Sequence, residues 1–143
     1  MAQKTFNHFS LNIPDTWLDR SVITLTAPAE GGFMPNLVLT REYLAQETNI
    51  DEYSEAQGEL LKQELNSYKV LSEETLEING IDAFQRTFVS FFQQANAKVQ
   101  QIQTYIIKDE TINNKKAFVA YTLTASALPE TFDKNKIAFL SIM

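Results

Sequence analysis

Cysteine is absent from this sequence, and histidine occurs once, as His8. Without cysteine the chain has no disulfide, no thiolate nucleophile and no zinc–thiolate site. A glycine-rich phosphate loop and a G-x-S-x-G nucleophile elbow are both missing from the sequence. We therefore predict a protein that is not an enzyme, with no catalytic residue, no metal and no cofactor. We assign His8 a structural or surface role.

Basic residues are few, and long apolar runs are absent. Lys and Arg number 12 against 18 Asp and Glu, which gives a formal net charge of −6. Such a surface repels nucleic-acid phosphates and anionic membranes. No apolar stretch approaches the roughly 20 residues that a membrane-spanning helix needs, and residues 1–8 contain no signal-peptide run. We expect a cytoplasmic protein without bound nucleic acid and without stable membrane insertion.

The remaining composition is that of an ordinary folded domain. The chain has 143 residues, of which 44% are apolar and 21% charged, and it contains 10 Phe to fill a core. The sequence shows no internal repeat and no linker. We predict a single domain over residues 1–143.

Strands are predicted where apolar and polar residues alternate or where β-branched and aromatic residues gather. The strongest short hairpin signal is Asn79-Gly80, which joins two such stretches. The predicted strands cover residues 6–13, 21–27, 36–42, 69–78, 81–93, 99–108 and 116–125.

Two helices complete the predicted fold. The main helix covers residues 49–67, with Thr48 or Asn49 as its cap. Gly58 in its middle costs about 1 kcal/mol relative to Ala, which marks either a close-packing site or a weak spot. A C-terminal helix opens at Leu128-Pro129-Glu130, with proline in its first turn. This order predicts an α+β fold, in which an antiparallel β-sheet of about six to seven strands packs with one main helix and a C-terminal helix.

The distribution of charge is the most informative feature. Glu30 is the only charged residue between Ser21 and Thr40, and Lys98 is the only one between residues 87 and 107. Residues 117–129 carry none. Because an acidic protein normally places Lys and Glu on the solvent face of a sheet, these neutral strands require an explanation.

Alternation within the strands gathers the neutral residues on one face of the sheet. The opposite, core face takes the alternate residues Ile23, Leu25, Leu37 and Leu39. The neutral side combines hydroxyl, amide, β-branched and aromatic side chains: Val22, Thr24, Thr26, Asn36, Val38, Thr40, Val99, Gln101, Gln103 and Tyr105. Two explanations stay open. Either the C-terminal helix or a dimer partner covers this face, or it is a groove for an apolar peptide or helix.

The opening block of the chain reads FSLNIPDTWLDRSV over residues 9–22, and LVLTRE follows at residues 37–42. This block resembles the Eag family, the effector-associated chaperones of bacterial type VI secretion, which are related to DcrB-like proteins and to the PsbP-like fold. The similarity extends through the helix start at residues 50–53, the hairpin at Asn79-Gly80 and the strand at residues 101–107.

The resemblance implies a non-catalytic cytoplasmic homodimer. It would hold the N-terminal transmembrane helices of a secreted effector, shield them from water and help to present the adjoining PAAR domain. The family's binding surface, carried over by position, falls on Val22, Asn36, Val38, Thr40, Gln57, Leu65, Val99 and Gln103. With Thr24 and Gln101 from the alternation, these residues are the predicted client-binding site. The alternative function is an accessory or structural protein of the PsbP-like fold that binds a soluble folded partner.

Overall fold

The structure is a computed structural model that describes residues 2–5, 10–14, 16–29, 32–112 and 114–142. The helices are α1 (Ile50–Glu64) and α2 (Phe132–Ile142), the second preceded by a 3-10 turn at Pro129–Thr131. The strands are β1 (Ala2–Thr5), β2 (Ser10–Ile13), β3 (Ile23–Thr26), β4 (Asn36–Leu44), β5 (Asn66–Ile78), β6 (Ile81–Phe92), β7 (Ala97–Ile112) and β8 (Lys115–Ala127).

Six of these strands form one antiparallel sheet in the order β3-β4-β8-β7-β6-β5, and β1 and β2 form a separate hairpin. Strand β8 returns between β4 and β7, so residues distant in sequence lie side by side at the centre. This arrangement confirms the predicted α+β class, with an antiparallel sheet and two helices. Neither α1 nor α2 has the length and apolar character that a bilayer-spanning helix needs, and the described residues contain no other α-helix.

Local signals placed the ends of several elements correctly. Asn49 caps α1, because its side chain accepts a hydrogen bond of 2.8 Å from the Glu52 amide. Asn79 and Gly80 have φ angles of 51° and 80°, which is the positive-φ pair of a tight two-residue hairpin. The helix ends at Glu64 rather than residue 67, since Ser67 already adopts a φ of 53° in β5.

The N-terminal region differs from its prediction. Instead of one strand over residues 6–13, β2 begins at Ser10 and pairs with the unpredicted β1, while Phe6 to Phe9, including His8, lie outside the described residues. Strand β3 begins at Ile23, later than predicted, because the Asp19 carboxylate accepts a hydrogen bond of 2.9 Å from the Ser21 amide and holds a loop there.

Strand β7 is longer than predicted at both ends. Its last residues are charged and carry no apolar pattern, but they pair with β8 as far as Ile112. An exposed ion pair of 3.1 Å joins Asp109 of β7 to Lys116 of β8. Main-chain pairing therefore extends this hairpin beyond its apolar part.

The core has two parts, one on each face of the sheet. Helix α1 packs on one face, where its Tyr53 joins Tyr105 and Ala120 in a buried cluster. The segment leading into α2 packs on the other face, where Phe132 contacts Leu37, Ile102, Ala125 and Ala127. Each helix therefore covers part of a different face.

Candidate functional site

The strand register brings the predicted neutral residues onto one face of the sheet. Two rows of directly opposed residues run across β3, β4, β8 and β7: Thr24, Val38, Thr124 and Gln103, and then Thr26, Asn36, Ser126 and Gln101. Directly opposed residues point to the same side of a sheet. We call these two rows, together with Val22, Thr40 and Thr122, the neutral face.

Hydrogen bonds between uncharged side chains connect β7 and β8 across the neutral face. The amide nitrogen of Gln101 donates to the hydroxyl of Ser126 at 2.9 Å, and that of Gln103 donates to the hydroxyl of Thr124 at 3.2 Å. These bonds partly satisfy the polar atoms without any formal charge. A partner that excludes water from this surface therefore has no ion to desolvate.

The C-terminal helix does not cover the neutral face through its described side chains. Phe132 packs against Leu37, Ile102 and Ala125, and these residues alternate with Asn36, Gln101 and Ser126 along their strands. The explanation that this helix covers the neutral face is therefore wrong for that part of the chain. The sequence pattern then leaves two explanations for the neutral face, coverage by a dimer partner and use as a binding groove.

Helix α1 lies on the same side of the sheet as the neutral face and borders it. Its Tyr53 packs edge-on against Tyr105, with ring centroids 5.8 Å apart, and Tyr105 opposes Thr122 of β8, which in turn opposes Thr40 of β4. In the described part of the chain, neither α1 nor the described side chains of α2 pack over the part of the neutral face between α1 and the edge strand β3.

A depression of about 540 Å³ lies at one end of the neutral face. Its floor is formed by Asn36, Val38, Gln101, Thr124 and Ser126. Its rim comes from the loop before β4, from the end of β6 and from the turn that follows β6: Gly32, Phe33, Phe92, Gln94 and Ala95. Apolar rings next to amide and hydroxyl groups suit a partner that is mostly apolar and carries a few small polar groups.

Most of the predicted site residues share this surface. Val22 is 60% exposed and Thr24 is exposed. The others on the sheet are partly buried: Asn36, Val38, Thr40, Gln101 and Gln103. The structure thus brings together six of the ten residues on the paired strands, and Val22 directly precedes β3 beside them.

Three predicted residues occupy other positions. Val99 points to the predicted side but has 0% of its surface exposed, so it belongs to the core and offers no contact surface. Gln57 is partly buried in α1, one turn after Tyr53. Leu65, also partly buried, is the C-cap residue of α1, and its amide donates to the carbonyl of Leu61.

The prediction missed the contribution of β8 to the neutral face. Thr122, Thr124 and Ser126 lie at its centre, and the last two accept the glutamine hydrogen bonds. The signal was present, since these residues alternate with Leu123 and Ala125 in a segment without charge. The loop residues at the rim gave no such signal, because only the fold brings them close.

A buried arginine lies next to the neutral face, beneath α1. Arg86 of β6 opposes Gln103 of β7 and Glu73 of β5 in the same row. Its guanidinium donates to the Ser54 carbonyl at 2.9 Å, to Glu73 at 3.1 Å and to the Tyr105 hydroxyl at 3.2 Å. The Tyr105 hydroxyl in turn donates to the side-chain carbonyl of Gln103. A polar chain therefore connects the α1 backbone to the neutral face.

Burial keeps two tyrosines beneath α1 in their neutral form. It raises the pKa of Tyr105 to about 12, against the opposing effect of the nearby Arg86 charge. Burial also raises the pKa of Tyr53, and the Glu42 carboxylate, which accepts the Tyr53 hydrogen bond at 2.8 Å, raises it further. Both hydroxyls therefore act as donors throughout the neutral pH range.

These shifts predict alkaline instability. Unfolded tyrosine loses its proton near its ordinary pKa of about 10, whereas folded Tyr53 and Tyr105 keep theirs, so the unfolded state binds fewer protons above that pH. We therefore expect these two tyrosines to leave the free energy of unfolding unchanged below about pH 10 and to lower it above that pH, by up to about 1.4 kcal/mol per pH unit for each tyrosine. Urea unfolding followed by circular dichroism from about pH 9 to about pH 12 measures this slope. Tyr53→Phe should flatten it, and an equal slope in that variant would contradict the assignment.

No cluster of three or more potential metal-ligating side chains occurs in the described part of the chain. The family model for DcrB matches residues 9–141, nearly the whole sequence. The chain belongs to the DcrB family. No curated protein matches this DcrB-family chain by sequence.

Solved structures share the fold of this DcrB-family chain at low sequence identity. PA94, a Pseudomonas aeruginosa protein of unknown function, is 21% identical with a TM-score of 0.78, over 100% of this chain and 93% of that one. LpqN of Mycobacterium tuberculosis, which is involved in cell envelope biogenesis, is 21% identical with a TM-score of 0.59, over 87% and 73%. The PsbP protein CyanoP of Synechocystis is 11% identical with a TM-score of 0.51, over 82% and 76%. The DcrB-like and PsbP-like parts of the resemblance are confirmed.

Proposed function

We propose that this DcrB-family protein is a non-catalytic chaperone of type VI secretion. Its neutral face binds the hydrophobic N-terminal transmembrane segments of a PAAR-containing effector and shields them before export. The observation that carries the proposal is the uncharged surface between α1 and β3, which the described side chains of α2 leave open in a chain of net charge −6. The Eag likeness of residues 9–22 supports this choice of partner. The proposed location is the cytoplasm, where such effectors are made.

The chemistry of the neutral face fits a transmembrane helix. In a bilayer such helices associate by close packing of small residues and by hydrogen bonds between Ser, Thr, Asn and Gln side chains. Thr40, Gln101 and Gln103 offer the same groups, with Val38 and the Phe92 ring as apolar neighbours. The sheet thus replaces the helix–helix contacts that the segment makes in a membrane.

We include a homodimer in the proposal, with two neutral faces forming a claw around the client. Its support is the exposure of apolar side chains at the edge of the sheet, where Ile23 and Leu25 of β3 are 48% and 47% exposed. Apolar surface of this kind on an edge strand is typical of a protein–protein contact.

Co-expression tests the chaperone function directly. The client is an effector fragment that contains apolar N-terminal segments followed by a PAAR domain. We expect it to accumulate in soluble form only when this chain is expressed with it, and to co-purify with it. A second fragment that lacks the apolar segments is the matched control, and its yield should not depend on the chain. Equal yields of the first fragment with and without the chain would contradict the proposal.

The second candidate is an accessory protein that binds a soluble folded partner, and the likeness to LpqN, which is involved in cell envelope biogenesis, favours it. An accessory subunit should leave the yield of an apolar segment unchanged and should bind a folded protein of the envelope. The co-expression experiment therefore separates the two functions.

A further inference from the structure

We propose that the neutral face is a directional surface that presents hydrogen-bond donors, and that Arg86 and Tyr105 set this direction by fixing the side-chain amide of Gln103. This inference rests on the proposed function, because it specifies which groups of an apolar segment the face selects: acceptors such as the carbonyl oxygens exposed beside glycine in a helix. Arg86 and Tyr105 are positioning residues that act from beneath α1.

The orientation of the Gln103 amide follows from the donors and acceptors in the series of hydrogen bonds that runs from Arg86 through Tyr105 and Gln103 to Thr124. A guanidinium only donates, so the Arg86 bond to Tyr105 at 3.2 Å makes the phenolic oxygen an acceptor. The single Tyr105 proton then goes to the carbonyl oxygen of Gln103. The Gln103 amide nitrogen must therefore point to the opposite side, where it donates to Thr124 at 3.2 Å.

Thr124, the last residue in this series of hydrogen bonds, has a hydroxyl proton that no described residue accepts. The Thr124 hydroxyl accepts from Gln103, and no acceptor for its own proton occurs among the residues that the structure describes. Thr124 also lines the depression of about 540 Å³, so its proton is available to a bound group. The second N–H of Gln103 has no described acceptor either. The surface between these residues therefore presents donors.

Two features hold the first members in place. Arg86 is fixed by its bonds to the Ser54 carbonyl and to Glu73, and only 4% of its side chain is exposed. Burial raises the pKa of Tyr105 to about 12, so its hydroxyl keeps its proton. The orientation of Gln103 is therefore part of the folded structure before any partner binds, as pre-organised recognition requires.

The neighbouring Gln101 shows the contrast. Its amide nitrogen donates to Ser126 at 2.9 Å, but no described side chain donates to its carbonyl oxygen. Gln101 is therefore free to present either its donor or its acceptor, whereas Gln103 presents a donor. One face thus combines a fixed contact with an adaptable one.

The test uses an apolar Leu–Ala helical peptide of about 20 residues in detergent micelles, with one of four residues at its centre. Met and Met sulfoxide form the first pair, since the sulfoxide adds only an acceptor. Trp and 1-methyl-Trp form the second pair, since methylation removes only a donor. Dissociation constants are measured for the wild-type protein, for Tyr105→Phe and for the control Tyr53→Phe, which loses a buried hydroxyl outside the chain from Arg86 to Thr124.

We expect the preference for Met sulfoxide over Met to be roughly three- to tenfold larger in the wild type than in Tyr105→Phe, as one neutral hydrogen bond allows. The preference for Trp over 1-methyl-Trp should be small in the wild type, where Gln101 is the amide that can turn its carbonyl outward, and it should be larger in Tyr105→Phe, because the freed Gln103 amide can then do the same. Tyr53→Phe should behave as the wild type does. A merely structural effect would change both preferences in the same direction.

Two results overturn the inference. If all four peptides bind and Tyr105→Phe leaves both preferences unchanged, the directional surface is wrong while the proposed function stands. If none of the peptides binds the wild type, the proposed function fails and the inference fails with it. Gln103→Met, which removes the fixed amide donor, is the second variant. It should also reduce the sulfoxide preference, and it keeps the test decisive if Tyr105→Phe does not fold.

Discussion

Replacement of Val22 by Asp should weaken binding of an apolar helical segment by about 30-fold or more. Val22 is 60% exposed at the edge of the neutral face, so the carboxylate remains hydrated in the free protein and the fold tolerates it. A bound apolar segment removes that hydration without supplying a partner for the charge. Burial of an unpaired charge costs several kcal/mol, and about 2 kcal/mol corresponds to a 30-fold change in the dissociation constant. Titration with the Leu–Ala peptide in micelles measures it.

An exposed apolar residue at the other edge of the sheet provides a matched control. Leu71 is 47% exposed in β5, which lies at the end of the strand order opposite β3, away from both the neutral face and the apolar edge assigned to the dimer. Leu71→Asp adds the same charge there, and it should change the dissociation constant by less than about twofold. If Leu71→Asp weakens binding as much as Val22→Asp does, the assignment of the client to the neutral face is wrong. Thermal unfolding of both variants confirms that each is folded.

The neutral face was predictable because a β-strand fixes the side of every residue by its parity. Once residues 21–27 and 36–42 were recognised as strands, the opposite orientation of Val38 and Leu39 followed from the two-residue period. An error of two residues at a strand end, as at the start of β3, does not change this parity. The class of fold and most of the site therefore came from local patterns.

The side on which each helix packs was not predictable in this way. The C-terminal segment is apolar, and nothing in it specifies whether it packs against Leu37 or against its neighbour Val38. The choice depends on the strand order β3-β4-β8-β7, which places Leu37, Ala125 and Ile102 side by side opposite Phe132. Strand order is a long-range property, and for this reason the covering of the neutral face stayed open until the fold was known.

The contact between Arg86 and Gly58 was also not predictable from local sequence patterns. The sequence marked Gly58 as a close-packing site or a weak spot, and the structure supports close packing. An added Cβ at Gly58 would lie 2.9 Å from the Nη2 atom of Arg86. The two residues are separated by 28 positions and belong to α1 and β6. No local pattern relates them, so the requirement for glycine appears only in the folded structure.

Arg86→Met should destabilise the protein by about 2 to 3 kcal/mol. The substitution removes the charged donor that the Ser54 carbonyl has in addition to its helical hydrogen bond, and it also removes the donor to Tyr105. A hydrogen bond to a charged group typically contributes about 1.5 to 3 kcal/mol. The Glu73 side chain is 45% exposed and returns to water, so its loss of the ion pair adds little. Urea unfolding at neutral pH measures the change. A loss below about 0.5 kcal/mol, the ordinary range for a surface substitution, would contradict a structural role for Arg86.

Gly58→Ala then serves as the partner in a double-mutant cycle. With Arg86 present, the new methyl group displaces a guanidinium that its three hydrogen-bonding partners hold in place. We expect a loss of about 1 kcal/mol despite the better helix propensity of Ala. In the Arg86→Met background the obstacle is gone, and Gly58→Ala should instead stabilise the protein by about 1 kcal/mol. The resulting coupling of about 2 kcal/mol would show that α1 packs directly against the Arg86 guanidinium at Gly58. If Gly58→Ala stabilises both backgrounds equally, the close approach of these two residues does not constrain the helix. The same guanidinium orients Tyr105 and, through it, Gln103. The packing of α1 and the orientation of the donor on the neutral face therefore both depend on Arg86.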